Sequence, residues 1–190
     1  ALIGKKLVTQ YGGHIRVYGT PGEEGGDNGS AKASYADAGL FDDMDFALCL
    51  HPGYEHGLTV ATIANAPVEV NFYGKASHAA SAPDKGHNAL DAMLLLFNAV
   101  NAYREHAPSD ALIHGVILEG GYAPNIVPDH TRARFFLRAN KYQTVEELMK
   151  HFEKMVEGAA LMTSCDFRFE MYQNAVKETW PTPSFDAVYQ

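Results

Sequence analysis

Ala66-Pro67-Val68-Glu69-Val70-Asn71-Phe72-Tyr73 is the stretch on which the fold turns. Val68, Val70 and Phe72 alternate with Glu69, Asn71 and Tyr73, and period-two alternation marks a strand with one buried face. Downstream, Asn88 opens a helix with Leu90, Met93, Leu94, Phe97 and Val100 at helical spacing, which closes before Pro108. A strand is expected over 112–118, followed by the loop Glu119-Gly120-Gly121-Tyr122-Ala123-Pro124-Asn125 and a strand from Thr131 to Arg138. Thr144 and Glu147 have the spacing of a capping box ahead of Leu148, Phe152, Met155 and Ala159. Phe167, Phe169 and Met171 then alternate as the inward face of a last strand. The order β-α-β-β-α-β is a split βαβ, or ferredoxin-like, module, and it occupies residues 67–175.

Upstream of it the pattern differs. His14-Ile15-Arg16-Val17-Tyr18-Gly19 is a β-prone run ending in the turn Thr20-Pro21-Gly22. Ser30 is placed to cap a helix that ends at Gly39, and a second apolar run, Phe46-Ala47-Leu48-Cys49-Leu50, ends at His51-Pro52-Gly53. Apolar strand, helix, apolar strand is the grammar of a parallel α/β layer, although two strands cannot make such a sheet alone. The expected architecture is a partial parallel α/β layer over residues 1–66, interrupted by the ferredoxin-like module at 67–175. Residues 176–190, after Pro181 and Pro183, return toward the first layer.

Composition narrows the function. With 15 Lys and Arg against 23 Asp and Glu, the 190 residues carry a formal charge of −8, which argues against a surface that tracks phosphates. An RNA-binding fold shares the β-α-β-β-α-β order, but the third strand reads Arg132-Ala133-Arg134-Phe135-Phe136 and lacks the aromatic pattern of that fold. No apolar run reaches the ~20 residues of a membrane span. Two distant cysteines, Cys49 and Cys165, give neither a disulfide framework nor a zinc-ribbon spacing, and a cytoplasmic setting is the default. Cys49 reads as a small buried hydrophobe. His87, His106, His114, His130 and His151 lack ligand spacing and read as surface or hydrogen-bonded residues.

Two features carry chemistry. Glu23 and Glu24 lie in a turn directly after the first β-prone run, and His51 ends the second. Sites in α/β sheets collect at the carboxyl ends of strands, and imidazole with carboxylate suits zinc or another first-row divalent ion. The plainer alternative is a solvated acidic turn and a histidine making one hydrogen bond.

Gly19-Thr20-Pro21-Gly22-Glu23-Glu24-Gly25-Gly26 and Leu50-His51-Pro52 resemble metal-ligand motifs of the metallo-amidohydrolase family. That family contains aminoacylase, carboxypeptidase G-type enzymes, hippurate hydrolase and aminobenzoyl-glutamate hydrolase. Gly74-Lys75-Ala76-Ser77-His78-Ala79-Ala80 with Asn88-Ala89-Leu90-Asp91-Ala92 resembles the start of its lid (dimerisation) domain, and Pro124-Asn125-Ile126-Val127-Pro128-Asp129 resembles the lid's asparagine loop. The aminobenzoyl-glutamate hydrolase and dipeptidase-like branch is most similar. The resemblance implies hydrolysis of an amide bond in an N-acyl amino acid or dipeptide. It implies Glu23 as general base, Glu24 and His51 as metal ligands, and His78 as oxyanion stabiliser. Asn125 and Arg138 would hold the polar end of the substrate. The implied cofactor is zinc, or manganese or cobalt, with two ions in the intact enzyme.

The family also draws ligands from segments upstream and downstream of those present, so the chain reads as a piece of a longer enzyme, inactive alone. Thr131 to Arg138 is seven steps, roughly 23 Å at strand rise. One small substrate does not span Asn125 and Arg138 of the same subunit, and a homodimer through the lid is expected to resolve that distance. The competing reading is a non-catalytic dimerisation or ligand-binding module, because ferredoxin-like folds host unrelated functions.

Overall fold

The computed structural model describes residues 2–23 and 29–189. Its elements in chain order are α1 (Leu2–Tyr11), α2 (Ala31–Asp37), β1 (Ala64–Tyr73), a short 3-10 turn (Pro83–Lys85), α3 (Ala89–Tyr103), β2 (Leu112–Glu119), β3 (His130–Ala139), α4 (Tyr142–Thr163), β4 (Asp166–Met171) and α5 (Pro183–Tyr189). The strands form one antiparallel sheet in the order β2-β3-β1-β4, which is the ferredoxin-like arrangement expected.

Alternation decides which face of the sheet is covered. Ala64, Ala66, Val68, Val70 and Phe72 of β1 and Ala133, Phe135, Leu137 and Ala139 of β3 are buried with residues of α3 and α4 in one core. Phe135 lies at the centre, 4.9 Å from the Phe152 ring and 5.0 Å from Phe97. Burying a side chain of this size stabilises by about 1.5–3 kcal/mol. The backbone of Gly115 is what lets the Phe135 ring lie flat on β2, since a Cβ there would collide with it and come 2.7 Å from the Arg134 carbonyl oxygen. Asn88 Oδ1 accepts from the backbone N–H of Leu90 (2.9 Å) and Asp91 (3.3 Å), so this cap forms as expected.

Several expectations are corrected. The runs at 14–19 and 46–50 are not strands among the described residues, because neither has a ladder neighbour to pair with. Cys49 is accordingly exposed, while Cys165 is buried. The buried stripe of α3 is Ala89, Ala92, Met93, Leu96 and Val100, and Leu94 faces solvent. Thr144 and Glu147 do not cap α4: the helix begins at Tyr142, whose N–H donates to Glu178 Oε2 at 2.9 Å. Met171, at the free end of the edge strand β4, is half exposed. Ser30 precedes α2 in a left-handed conformation (φ 65°) and makes no side-chain cap, whereas Gly39 (φ 70°) terminates that helical segment as expected.

The last segment runs back along the first. Asn174 Nδ2 donates to Ser34 Oγ at 2.6 Å, Thr179 bonds Thr62, and Thr59 Oγ1 donates to Asp186 at 2.9 Å.

Candidate active site

β1 and β3 continue beyond the sheet as a two-stranded ladder. The Gly74 N–H donates to the Asp129 carbonyl (2.8 Å), the Val127 N–H to Ser77 (2.9 Å) and the Ala79 N–H to Asn125 (3.0 Å). His78 pairs with Ile126 across this ladder. His78 and Asn125, from motifs far apart in sequence, are thereby brought to one exposed tip. The His78 ring is oriented by its own turn: Nδ1 accepts from the N–H groups of Ala80 and Ser81, each at 3.2 Å. A ring that accepts through Nδ1 carries its hydrogen on Nε2, so His78 presents a donor, as stabilising an oxyanion requires.

Arg138 lies at the opposite end of β3, across from Asn65 of β1 and Leu112 of β2. Its guanidinium carbon sits 4.9 Å from the centre of the Phe136 ring. Arg138 Nε and Asn65 Oδ1 are both buried without a hydrogen-bond partner. Burial, reinforced by the charges of Arg138 and Arg104, holds His114 below the ordinary histidine value. The strand separates Arg138 from His78 and Asn125, and the three do not converge within one chain.

In the flanking region, Glu23 Oε2 lies 2.6 Å from Lys32 Nζ. Lys32 is raised above its ordinary value chiefly by that hydrogen bond, against desolvation, with Cys49 as a further partner. Lys32 therefore pairs with the Glu23 side chain across the start of α2. His51 is exposed, and its Nδ1 lies 2.8 Å from the Pro52 carbonyl oxygen. A hydrogen on Nδ1 leaves the Nε2 lone pair free, the form in which histidine binds a metal. Glu24 lies outside the described residues. Among the described residues no three His, Cys, Asp or Glu side chains gather to hold an ion.

A family model described as the peptidase dimerisation domain of the M20 group matches residues 63–163. The chain belongs to the M20 peptidase dimerisation-domain family. It is 40% identical over 167 residues to one of the p-aminobenzoyl-glutamate hydrolase subunits of Escherichia coli, covering 86% of this chain and 34% of that protein. To the Xaa-Arg dipeptidase of Mus musculus it is 33% identical over 175 residues, covering 92% and 40% respectively. The chain thus spans about a third to two-fifths of the length of these relatives. The crystal structure of an aminobenzoyl-glutamate utilization protein from Klebsiella pneumoniae superposes with a TM-score of 0.66 at 22% identity, over 80% of this chain and 40% of that one, a likeness of fold.

In this M20 dimerisation domain, one group of polar residues escaped the sequence reading. On the sheet face away from the helices, Glu69 (9% exposed) and Asn71 (6%) are buried among Arg132, Arg134, His130 and Glu119. The signal was available in the alternation itself, because Glu69 and Asn71 stand opposite Arg134 and Arg132 once β1 and β3 pair. No described helix is long and apolar enough to cross a membrane.

Proposed function

We propose that residues 67–175 are the lid of a metal-dependent amidohydrolase acting on an N-acyl amino acid or dipeptide. Residues 1–66 and 176–190 contribute to its catalytic α/β domain. The relatives' names, p-aminobenzoyl-glutamate hydrolase and Xaa-Arg dipeptidase, support amide hydrolysis with a carboxylate-bearing substrate. In this reading Glu23 is the general base, and Glu24 and His51 bind the ion, zinc or alternatively manganese or cobalt. His78 and Asn125 contact the substrate's reacting and polar groups, and Arg138 forks its carboxylate. The enzyme is a cytoplasmic homodimer through the lid.

The placement of His78 and Asn125 on one tip, with Arg138 at the far end of β3, carries this reading. Residues a strand's length apart serve one small substrate only when they come from different subunits. The test uses a protein of the relatives' full length, screened against p-aminobenzoyl-glutamate, acyl-amino acids and dipeptides with each metal. His78→Ala and Arg138→Ala should each abolish turnover. Mixing the two inactive variants should restore about a quarter of wild-type activity, since half of randomly paired dimers are mixed and each holds one intact site. No recovery on mixing would overturn the shared site, and the 190-residue chain alone should not turn over.

A further inference from the structure

One side chain just past the sheet reaches back to the turn that carries Glu23. Asn174 follows β4 and lies between two backbone ties to β1. The Tyr172 N–H donates to the Pro67 carbonyl at 3.3 Å, and Asn65 and Val176 exchange bonds of 2.8 and 3.0 Å. Ala175 packs against the core between them, so the backbone at residue 174 is fixed to the sheet. Its side chain crosses to the start of α2. Asn174 Nδ2 donates to Ser34 Oγ at 2.6 Å and lies 3.3 Å from the Ser30 carbonyl oxygen and 3.4 Å from that of Gly29. An amide nitrogen carries two hydrogens: one serves the hydroxyl, and the two carbonyls share the other. Carbonyl oxygens only accept, which fixes the end of the amide that faces them.

The backbone held there is strained. Ser30 has φ 65° and ψ 58° and makes no side-chain cap, and the left-handed region is disfavoured for a residue with a Cβ. Such a conformation persists where its surroundings over-determine it. On one side of Ser30 is Asn174, and on the other is the Glu23 turn. The Ser30 N–H donates to the Gly22 carbonyl at 2.9 Å and the Ala31 N–H to that of Pro21 at 3.4 Å. Gly22 (φ 72°) comes so close that a Cβ on it would lie 3.1 Å from Gly29 Cα. Lys32 then pairs with Glu23 at 2.6 Å. The bend at Ser30 lets the chain make these bonds and enter α2 at once.

We propose that Asn174 is a positioning residue that sets Glu23 relative to the four-stranded sheet. β1, Asn174, Ser30, the carbonyls of Pro21 and Gly22, and Glu23 form one connected series. The same β1 continues into the ladder that bears His78, so both groups are referred to one strand. The proposal rests on the reading of Glu23 as general base, but the tie itself is tested without activity.

Amide exchange is followed by NMR in the whole 190-residue chain, with Val70 of the core ladder as the control for folding. Asn174→Ala should lower Ser30 protection about tenfold, the effect of losing its neutral hydrogen bonds, and leave Val70 unchanged. Asn174→Asp keeps the shape and can accept from Ser34, but it opposes the two carbonyls, and it should lower Ser30 protection at least as much. Ser30→Gly adopts the left-handed conformation without penalty and should restore most of the protection in the Asn174→Ala background. A Ser30 amide unprotected in wild type, an Asp variant as protected as wild type, or no recovery with Gly would each overturn the tie. In a protein of the relatives' full length, Asn174→Ala should lower kcat about tenfold and keep KM within about twofold, because a general base acts in the chemical step. An unchanged kcat, or a change confined to KM, would overturn the positioning of Glu23. If the exchange results hold while Glu23→Gln leaves the full-length enzyme active, the reading of Glu23 fails and the tie to its turn stands.

Discussion

Residues 64–171 and residues 2–63 contain apolar runs of similar character and treat them in opposite ways. Val68, Val70 and Phe72 are fully buried, whereas Val17, Leu48 and Leu50 are 76%, 69% and 84% exposed. Apolar β-prone residues create a tendency to extend, but burial needs a ladder on each side and a helix above. The four strands of the dimerisation domain pair with one another within the chain, β1 with the distant β3 and β4, and two amphipathic helices close one face. The flanking runs have no such neighbours among the described residues. The largest test of this contrast is Phe152→Ala, which removes a fully buried ring packed on Phe135 and Phe169. It should cost about 3–5 kcal/mol, seen as a lower urea midpoint at unchanged slope.

Two smaller changes probe how the lid closes on its two faces. Gly115→Ala pushes a methyl into the Phe135 ring and the Arg134 carbonyl, and should cost about 1–3 kcal/mol, with β2 amides exchanging faster. On the opposite face, burial pushes the Glu69 carboxyl up, but bonds from Arg134 and Asn71 and the charges of Arg134 and Arg132 outweigh it, and it ends below its ordinary value. A carboxyl lowered by folding contributes stability above its unfolded value of about 4.3. That contribution disappears as pH falls through the folded value. Glu69→Gln should therefore cost about 1–2 kcal/mol at neutral pH and show a shallower acid limb than wild type in denaturation midpoint against pH.

The same contrast explains what could be read from the residues. The β1 alternation, the Asn88 cap and the strands flanking the 120–129 loop depend on local pattern, and the structure follows them. The inward face of α3 does not follow, because Ala89-Leu90-Asp91-Ala92-Met93-Leu94-Leu95-Leu96-Phe97 is apolar on more than one side. The buried face mixes the small Ala89 and Ala92 with Met93, Leu96 and Val100, while Leu94 is left outside. The start of α4 depends on Glu178, 36 residues from Tyr142, which no local capping pattern reveals. The site divides likewise. His78 and Asn125 were readable as motifs, and β-pairing brings them together. The polar group around Glu69 and Asn71 needed the register of β1 and β3, because none of its members is unusual alone.

The smallest expected effect is the most discriminating. Leu50→Ser in this chain removes an apolar side chain that already faces water, so it loses almost no burial and should change stability by less than about 0.5 kcal/mol. If the 46–50 run belongs to a catalytic α/β layer, as proposed, neighbouring strands would cover it in a protein of the relatives' full length. The same substitution should then bury an unpartnered hydroxyl and forfeit about 2–3 kcal/mol of leucine burial. Measuring both urea midpoints separates a run that is exposed by nature from one that is exposed for want of a partner. Equal, negligible effects would show that the flank is surface in either setting and that its apolar residues serve something other than a parallel layer. A large effect confined to the longer protein would tie the geometry of His51, one residue beyond Leu50, to strands that this chain does not itself provide.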